Sequence, residues 1–289
     1  MNRLIKFTNK NNLNIEIGIY PPYLLTKFEE STNVQIYSSK GMLQQGTSYR
    51  NNTLDIKDIT LEFVVRAETQ EELLNYQRII NKTFNPTLGE GTLCYKDISK
   101  EWIINCVVNK LPVYQRLNDV NYKCLISLTA SIPFWREIVE HKANIAMWQG
   151  AFHFPLIIPE GQGIHMGVRQ PSLIVNIENI GDVESGMIIE FKALGTLKKP
   201  SLFNVNTREM IKINTDMVAG EIIRINTNIG NKKVTRILDN AEIDFVHKID
   251  LDSTFLKLEV GDNLFRYDAE ENINNLEVNI YYNPNYLEV

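Results

Sequence analysis

The strongest constraint on this chain is a recurring alternation of apolar and polar residues with period two. Between Lys57 and Arg66, Ile59, Leu61, Phe63 and Val65 share one face, while Thr60, Glu62 and Arg66 share the other. Successive strand side chains point to opposite faces, so the pattern describes strands with one buried face. The run Trp102–Val108 repeats it, with Trp102, Ile104, Cys106 and Val108 on one side. So does Tyr122–Ala130, with Cys124, Ile126, Leu128 and Ala130 together. Two of the three cysteines thus lie on apolar strand faces, and the third is Cys94. An odd count without close spacing supports neither a disulfide framework nor a zinc site. The thiols are expected to be small buried hydrophobes.

One segment switches to helical spacing. Thr69 can cap it, and Glu72 three residues later completes a capping box. Leu73, Tyr76, Ile80 and Phe84 recur at helical intervals, with Leu74 and Ile79 widening the stripe. Glu71 and Glu72 sit at the positive end of the dipole, Arg78 and Lys82 toward the negative end, and Asn85-Pro86 stops the run. The spacing predicts one helix over Thr69–Phe84, with one face on a sheet.

A chain of 289 residues makes two domains, or one large all-β domain. A break near 132–145 favours two, at residues 1–138 and 139–289. There Ile132-Pro133-Phe134-Trp135 ends a strand, because proline cannot continue a central ladder, and Glu137–Lys142 is polar. Pro155–Gly167 reads as a loop. Beyond it, short strands are expected at Ser172–Glu178, Met187–Leu194, Ser201–Val205, Glu221–Asn226, Val234–Leu238, Phe255–Leu258 and Leu276–Tyr282. Turn signals separate them at Gly181-Asp182, Thr215-Asp216, Gly230-Asn231 and Gly261-Asp262-Asn263. That rhythm predicts a β-sandwich.

The chain offers little to an enzymatic reading. Its four histidines, His141, His153, His165 and His247, form neither HExxH nor HxH. Gly161-Gln162-Gly163-Ile164-His165-Met166-Gly167 is spaced GxGxxxG, with no strand–helix unit to supply a phosphate-binding helix end. Gly89-Glu90-Gly91 reads as a turn. No catalytic, cofactor-binding or metal-ligating residue is assigned. Glu and Asp are plentiful, so composition leaves open a carboxylate pair of the kind a cell-wall hydrolase needs. The net charge of −5 argues against a dedicated phosphate-backbone binder and a polybasic membrane anchor. No window approaches a membrane span, and the first residues hold no signal peptide, so the chain reads as cytosolic at synthesis. Phe203–Arg208 places amides and a guanidinium at strand alternation, which suits a sugar-reading edge or a hairpin turn. Trp135 reads as an inter-domain or core anchor, and Tyr281-Tyr282 as sheet packing.

Taken in order, these segments resemble the distal tail protein family (Dit) of long-tailed, non-contractile, siphovirus-type phages, or prophage-derived tail-like particles. The resemblance runs through Asp58–Arg66, the capped helix with Asn85-Pro86, Gly89–Tyr95, Glu101–Val108 and Leu111-Pro112-Val113-Tyr114. It continues in Ser131-Ile132-Pro133-Phe134-Trp135, where Ile132 replaces the family's acidic residue. In the second half, Asn176–Asp182, Leu202-Phe203-Asn204 with Asn206-Thr207 and Ile211–Ile213, Phe255–Asn263, and Tyr281-Tyr282 with Tyr286-Leu287 are similar to that family's turns and strands.

The resemblance implies a mostly β fold: an N-terminal β-sandwich or split barrel with one α-helix, then a C-terminal galectin-like β-sandwich. It implies a non-enzymatic protein of the virion tail tip, assembled in the host cytoplasm. Its partners are copies of itself in a hexameric ring, the tail tube protein, the tail hub and, in some relatives, a receptor-binding protein. DNA is only passing cargo, and no membrane or cofactor is involved. The alternative is a carbohydrate-binding module recognising host cell-wall saccharides.

Overall fold

The computed structural model describes residues 3–98, 100–145, 148–150, 167–169, 174–239 and 241–289, the two short stretches at 148–150 and 167–169 as backbone. In the N-terminal half the alternating runs become β1 (Leu4–Thr8), β2 (Asn14–Ile17), β3 (Tyr23–Ser39), β4 (Ser48–Arg66), β5 (Glu90–Lys96), β6 (Glu101–Arg116), β7 (Asn121–Ala130) and β8 (Trp135–Glu137). They pair in the order β2-β1-β5-β6-β7-β4-β3, with β8 on β6. A parallel bridge between Gly18 and Leu24 brings the two edges together, so the sheet curls into a split barrel.

The expected faces point inward. Ile59, Leu61, Phe63 and Val65 of β4 are fully buried, as are Cys124, Ile126 and Ala130 of β7. Ile59 lies opposite Leu128 and Phe63 opposite Cys124, so the two apolar faces form one ladder of cross-strand pairs. Cys106 joins this core, while Cys94 is only half-buried on the other face of β5.

The helix α1 (Gln70–Thr83) closes the barrel. Thr69 accepts a hydrogen bond from Glu72 N–H, and Glu72 Oε2 accepts in return from Glu68 N–H at 2.9 Å. Leu73 and Ile80 are buried, and Phe84, the C-cap, stacks on Phe7 at 4.6 Å. Leu74 and Ile79 do not widen the buried stripe; both are exposed. Each lies about 100° round the helix from a buried neighbour, past the edge of the packed face.

The chain divides into two compact units, Met1–Ile138 with Tyr286–Val289, and Val139–Asn285. The last four residues were expected in the second domain and instead belong to the first. Lys57 holds them there: its Nζ donates to the Leu287 carbonyl and to Glu30 Oε2.

The second unit comprises β9 (His141–Ile145), β10 (Trp148–Gly150), β11 (Gly167–Arg169), β12 (Ile174–Asn179), β13 (Met187–Ala193), β14 (Leu197–Asn204), β15 (Met210–Lys212), β16 (Asp216–Met217), β17 (Ile222–Asn226), β18 (Lys233–Leu238), β19 (Ala241–Asp244), β20 (Gly261–Glu271) and β21 (Leu276–Tyr282). β22 (Asn285–Tyr286) follows them in the chain and belongs to the sheet of β8. One sheet runs β12-β20-β14-β15 with β16 on β14, and the other runs β19-β18-β17-β13-β21-β9. Ile189, Phe191, Ile223, Ile225, Val278 and Ile280 of the second sheet share a core with Leu202, Phe265 and Tyr267 of the first. This is a sandwich of two antiparallel sheets.

One expected strand is absent, and several strands lie outside the expected set, β20 the longest of them in this unit. Phe255–Leu258 is not a strand: Leu256 and Leu258 are buried, but only an isolated bridge joins Leu258 to Ser185. Alternation reports which side faces the core, not whether a neighbour pairs. The strand instead follows, as β20, opening at Gly261 with φ +87°. Gly261-Asp262-Asn263 reads as a turn because Asn263 does staple one. Its side chain accepts from Glu259 N–H and donates to the carbonyls of Glu259 and Gly261.

Candidate assembly interface

The chemistry-bearing residues do not converge. His141 stacks on Tyr282 at 5.3 Å, and His247 packs edge-on against Phe245 at 5.4 Å. His153, His165, the glycine-rich run from Gly161, the expected loop from Pro155, the strand start at Ser172 and the Trp148 side chain lie outside the described residues. Among the described residues, no three His, Cys, Asp or Glu side chains could hold a metal ion, and no helix is long and apolar enough to cross a membrane. Burial pushes the thiols of Cys106 and Cys124 up to about 12 and raises that of Cys94. A thiol so raised is no nucleophile at neutral pH.

The sugar-edge candidate is a turn folded on itself. Asn204 Oδ1 accepts from Asn206 and Thr207 N–H, and Asn206 Oδ1 accepts from Leu264 N–H at 2.8 Å. The Arg266 guanidinium lies over Phe203 at 5.6 Å. Gly89 turns with φ +80°, while Gly91 belongs to β5, where a Cβ would meet Phe7 at 2.7 Å.

Trp135 is a core anchor. It is fully buried, and its indole N–H donates to Glu30 Oε2 at 2.7 Å. Glu30 also takes the buried Lys57 at 2.7 Å and the Val289 N–H at 3.5 Å. Tyr286 adds a bond from its hydroxyl to Glu137 Oε1 at 2.6 Å. One carboxylate thus gathers the roots of β3 and β4, the strand-end tryptophan and the final residues.

A two-stranded projection that the sequence pattern does not announce is open to a partner. The β4–β7 ladder ends at Lys57–Ala130, whereas the β3–β4 ladder continues to Ser39–Ser48. Beyond Thr32, β3 and β4 pair only with each other among the described residues. From Thr32 to Ser39 this arm runs about 24 Å at the usual strand rise. Val34, Ile36, Tyr37 and Tyr49 are exposed along it, and Met42 and Leu43 at its tip are 98% exposed. The tip is ordered from within: Gly41 N–H donates to Gln44 Oε1, Gln44 Nε2 to Ser48 Oγ, and Arg50 Nε to Ser39 Oγ. A free two-stranded ribbon carrying apolar side chains is an aggregation hazard unless a partner covers it.

The chain is similar to proteins of phage tails. Residues 10–129 match the family model described as a phage tail protein RIFT-related domain. Residues 180–286 match the siphovirus-type tail component, C-terminal domain. A search of curated protein sequences found no match. Among solved structures, Dit (gp 19.1) of phage SPP1 superposes with TM-score 0.69 at 7% identity, over 98% of this chain and 99% of that one. Two baseplate structures of phage p2 in the activated conformation also match at 12% identity. The calcium form gives TM-score 0.53 over all of both chains, and the strontium form 0.54 over 99% of each. Fold and domain order together define a structural component of a phage tail. The chain belongs to the siphovirus-type distal tail protein family.

Proposed function

We propose that this protein is a passive collar at the distal end of the tail. Six copies close a ring, which joins the last ring of the tail tube to the tail hub. The C-terminal sandwich faces outward as a dock for receptor-binding proteins. The role is structural rather than catalytic, and DNA slides through the ring without being held. The net charge of −5 is compatible with that passage, since an acidic wall does not retain a polyanion.

The observation that carries this reading is the β3–β4 arm in a chain of this family. Closed rings arise from head-to-tail contacts, in which each copy offers a projection to one neighbour and receives another's. An arm free of its own sheet is such a projection. Sugar recognition draws no comparable support, because Asn204 Oδ1 is engaged within the turn and Asn206 Oδ1 accepts from Leu264 N–H of β20. Light scattering of the purified full chain over a range of concentrations tests the proposal. The expected mass is about six times that of one copy, or six copies plus the bound proteins where the tube and hub are added. A single-copy mass under all of these conditions contradicts it.

A further inference from the structure

We infer that the ring is locked by a knob and socket: Met42 and Leu43 at the arm tip of one copy seat in the groove beside Tyr20 of the next. This inference rests on the ring reading and names the surfaces that make it.

The knob is costly unless something receives it. Leu43 holds φ +63°, the left-handed region that glycine and asparagine adopt readily and leucine does not. A leucine kept there at 98% exposure gains nothing within its own copy. Met42 beside it is equally bare and adaptable, which suits a side chain that must fill an irregular hollow.

The socket lies in the same unit. A hollow of about 790 Å³ opens between β2, the following turn, α1 and the end of β5. Its walls include Ile19, Tyr20, Pro22, Ile79 and Ile98. Ile98 is 81% exposed and Tyr20 73%, which are large exposures for apolar side chains clustered round one hollow. The exposure of Ile79 is thus accounted for: it points away from the barrel and into this groove.

Three features point to a second copy as the occupant. The arm reaches about 24 Å past the sheet, against a radius of gyration of roughly 14 Å for a unit of this size, so its tip crosses onto an adjacent copy. The free arm, residues 33–56, carries Lys40 and Arg50 against Asp55, a net positive charge, although the whole chain is net acidic. The groove is charge-balanced, Glu16 and Asp97 against Arg3 and Lys96, and Lys6 already pairs with Glu16, which leaves Asp97 as the acid whose Oδ1 has no hydrogen-bond partner among the described residues. Lys40 or Arg50 arriving on the arm would pair with the Asp97 carboxylate.

Engineered cysteines test the contact. In a Cys94→Ser background, full-length chains carrying both Leu43→Cys and Ile98→Cys are oxidised. The expected product is a ladder of covalent multimers ending at the closed ring. Mixing chains that carry only Leu43→Cys with chains that carry only Ile98→Cys should give covalent pairs and nothing larger. Separately, Leu43→Asp should raise the concentration for half-assembly at least tenfold, with an unchanged circular dichroism spectrum. A ring that forms normally with Leu43→Asp and gives no cross-link overturns the knob and socket while leaving the ring standing. Single copies of the unmutated chain under all conditions, together with no cross-link in the Leu43→Cys/Ile98→Cys chain, overturn both.

Discussion

Replacing Glu30 with alanine should destabilise the first unit by about 3–5 kcal/mol. That is the usual cost of removing one partner from a buried ion pair, because the other charge is left uncompensated. Here the stranded group is Lys57, whose side chain is 1% exposed; the Glu30 side chain is 10% exposed. The Leu287 carbonyl remains as a neutral acceptor for the ammonium, and the Trp135 indole N–H loses its acceptor. At roughly 2–4 °C per kcal/mol for a unit of this size, the midpoint falls by roughly 10 °C. Urea unfolding followed by tryptophan fluorescence reads the loss directly, since Trp135 belongs to the network. The double variant Glu30→Leu/Lys57→Met removes both charges and should recover most of the stability, as apolar replacements of buried pairs generally do. A Glu30→Ala midpoint matching the parent, or a double variant no better than the single, refutes the assignment of Glu30 and Lys57 as a coupled buried pair.

Three smaller predictions follow from local geometry. Thr69→Ala removes the cap on α1 and should cost about 1 kcal/mol, read as a lower urea midpoint. The Tyr76 hydroxyl, and then the Glu68 N–H, hold the Glu72 carboxyl below its ordinary 4.5. Stability from a carboxyl so lowered is present above that ordinary value and is lost as pH falls through the folded-state value. Glu72→Gln should therefore flatten the decline of melting temperature below about pH 4.5. Cys106 and Cys124, pushed up to about 12 by burial, should resist a thiol reagent at pH 8 and label only with global unfolding, while half-buried Cys94 labels ahead of them.

What the sequence disclosed depended on which force shaped each element. β4, β7 and α1 were legible because burial writes a period into the chain, and Ile59 to Val65 and Ile80 to Phe84 obey it. The arm was not, because its ladder is set by pairing between β3 and β4 alone. Ser, Asn and Gln alternate there with Val34, Ile36 and Tyr37 on both faces, and no core selects one. β20 was hidden by its own opening, where Asn263 is buried yet satisfied by the turn it staples. The return of Tyr286–Val289 to the first unit left no local trace, since it depends on Lys57 and Glu30, far away in sequence. The groove beside Tyr20 was equally silent, being built from four separate segments. Its one available signal was the run Ile19-Tyr20-Pro21-Pro22, apolar yet unable to form a central strand.

In the proposed collar, copies of this chain surround an axis. Electron micrographs of the purified full-length protein, with the tube and hub proteins added where needed, address that directly. Class averages should show an annulus with six-fold symmetry and an open centre, the arm of each copy lying across its neighbour. Particles without rotational symmetry, or copies joined only in pairs about a two-fold axis, contradict it.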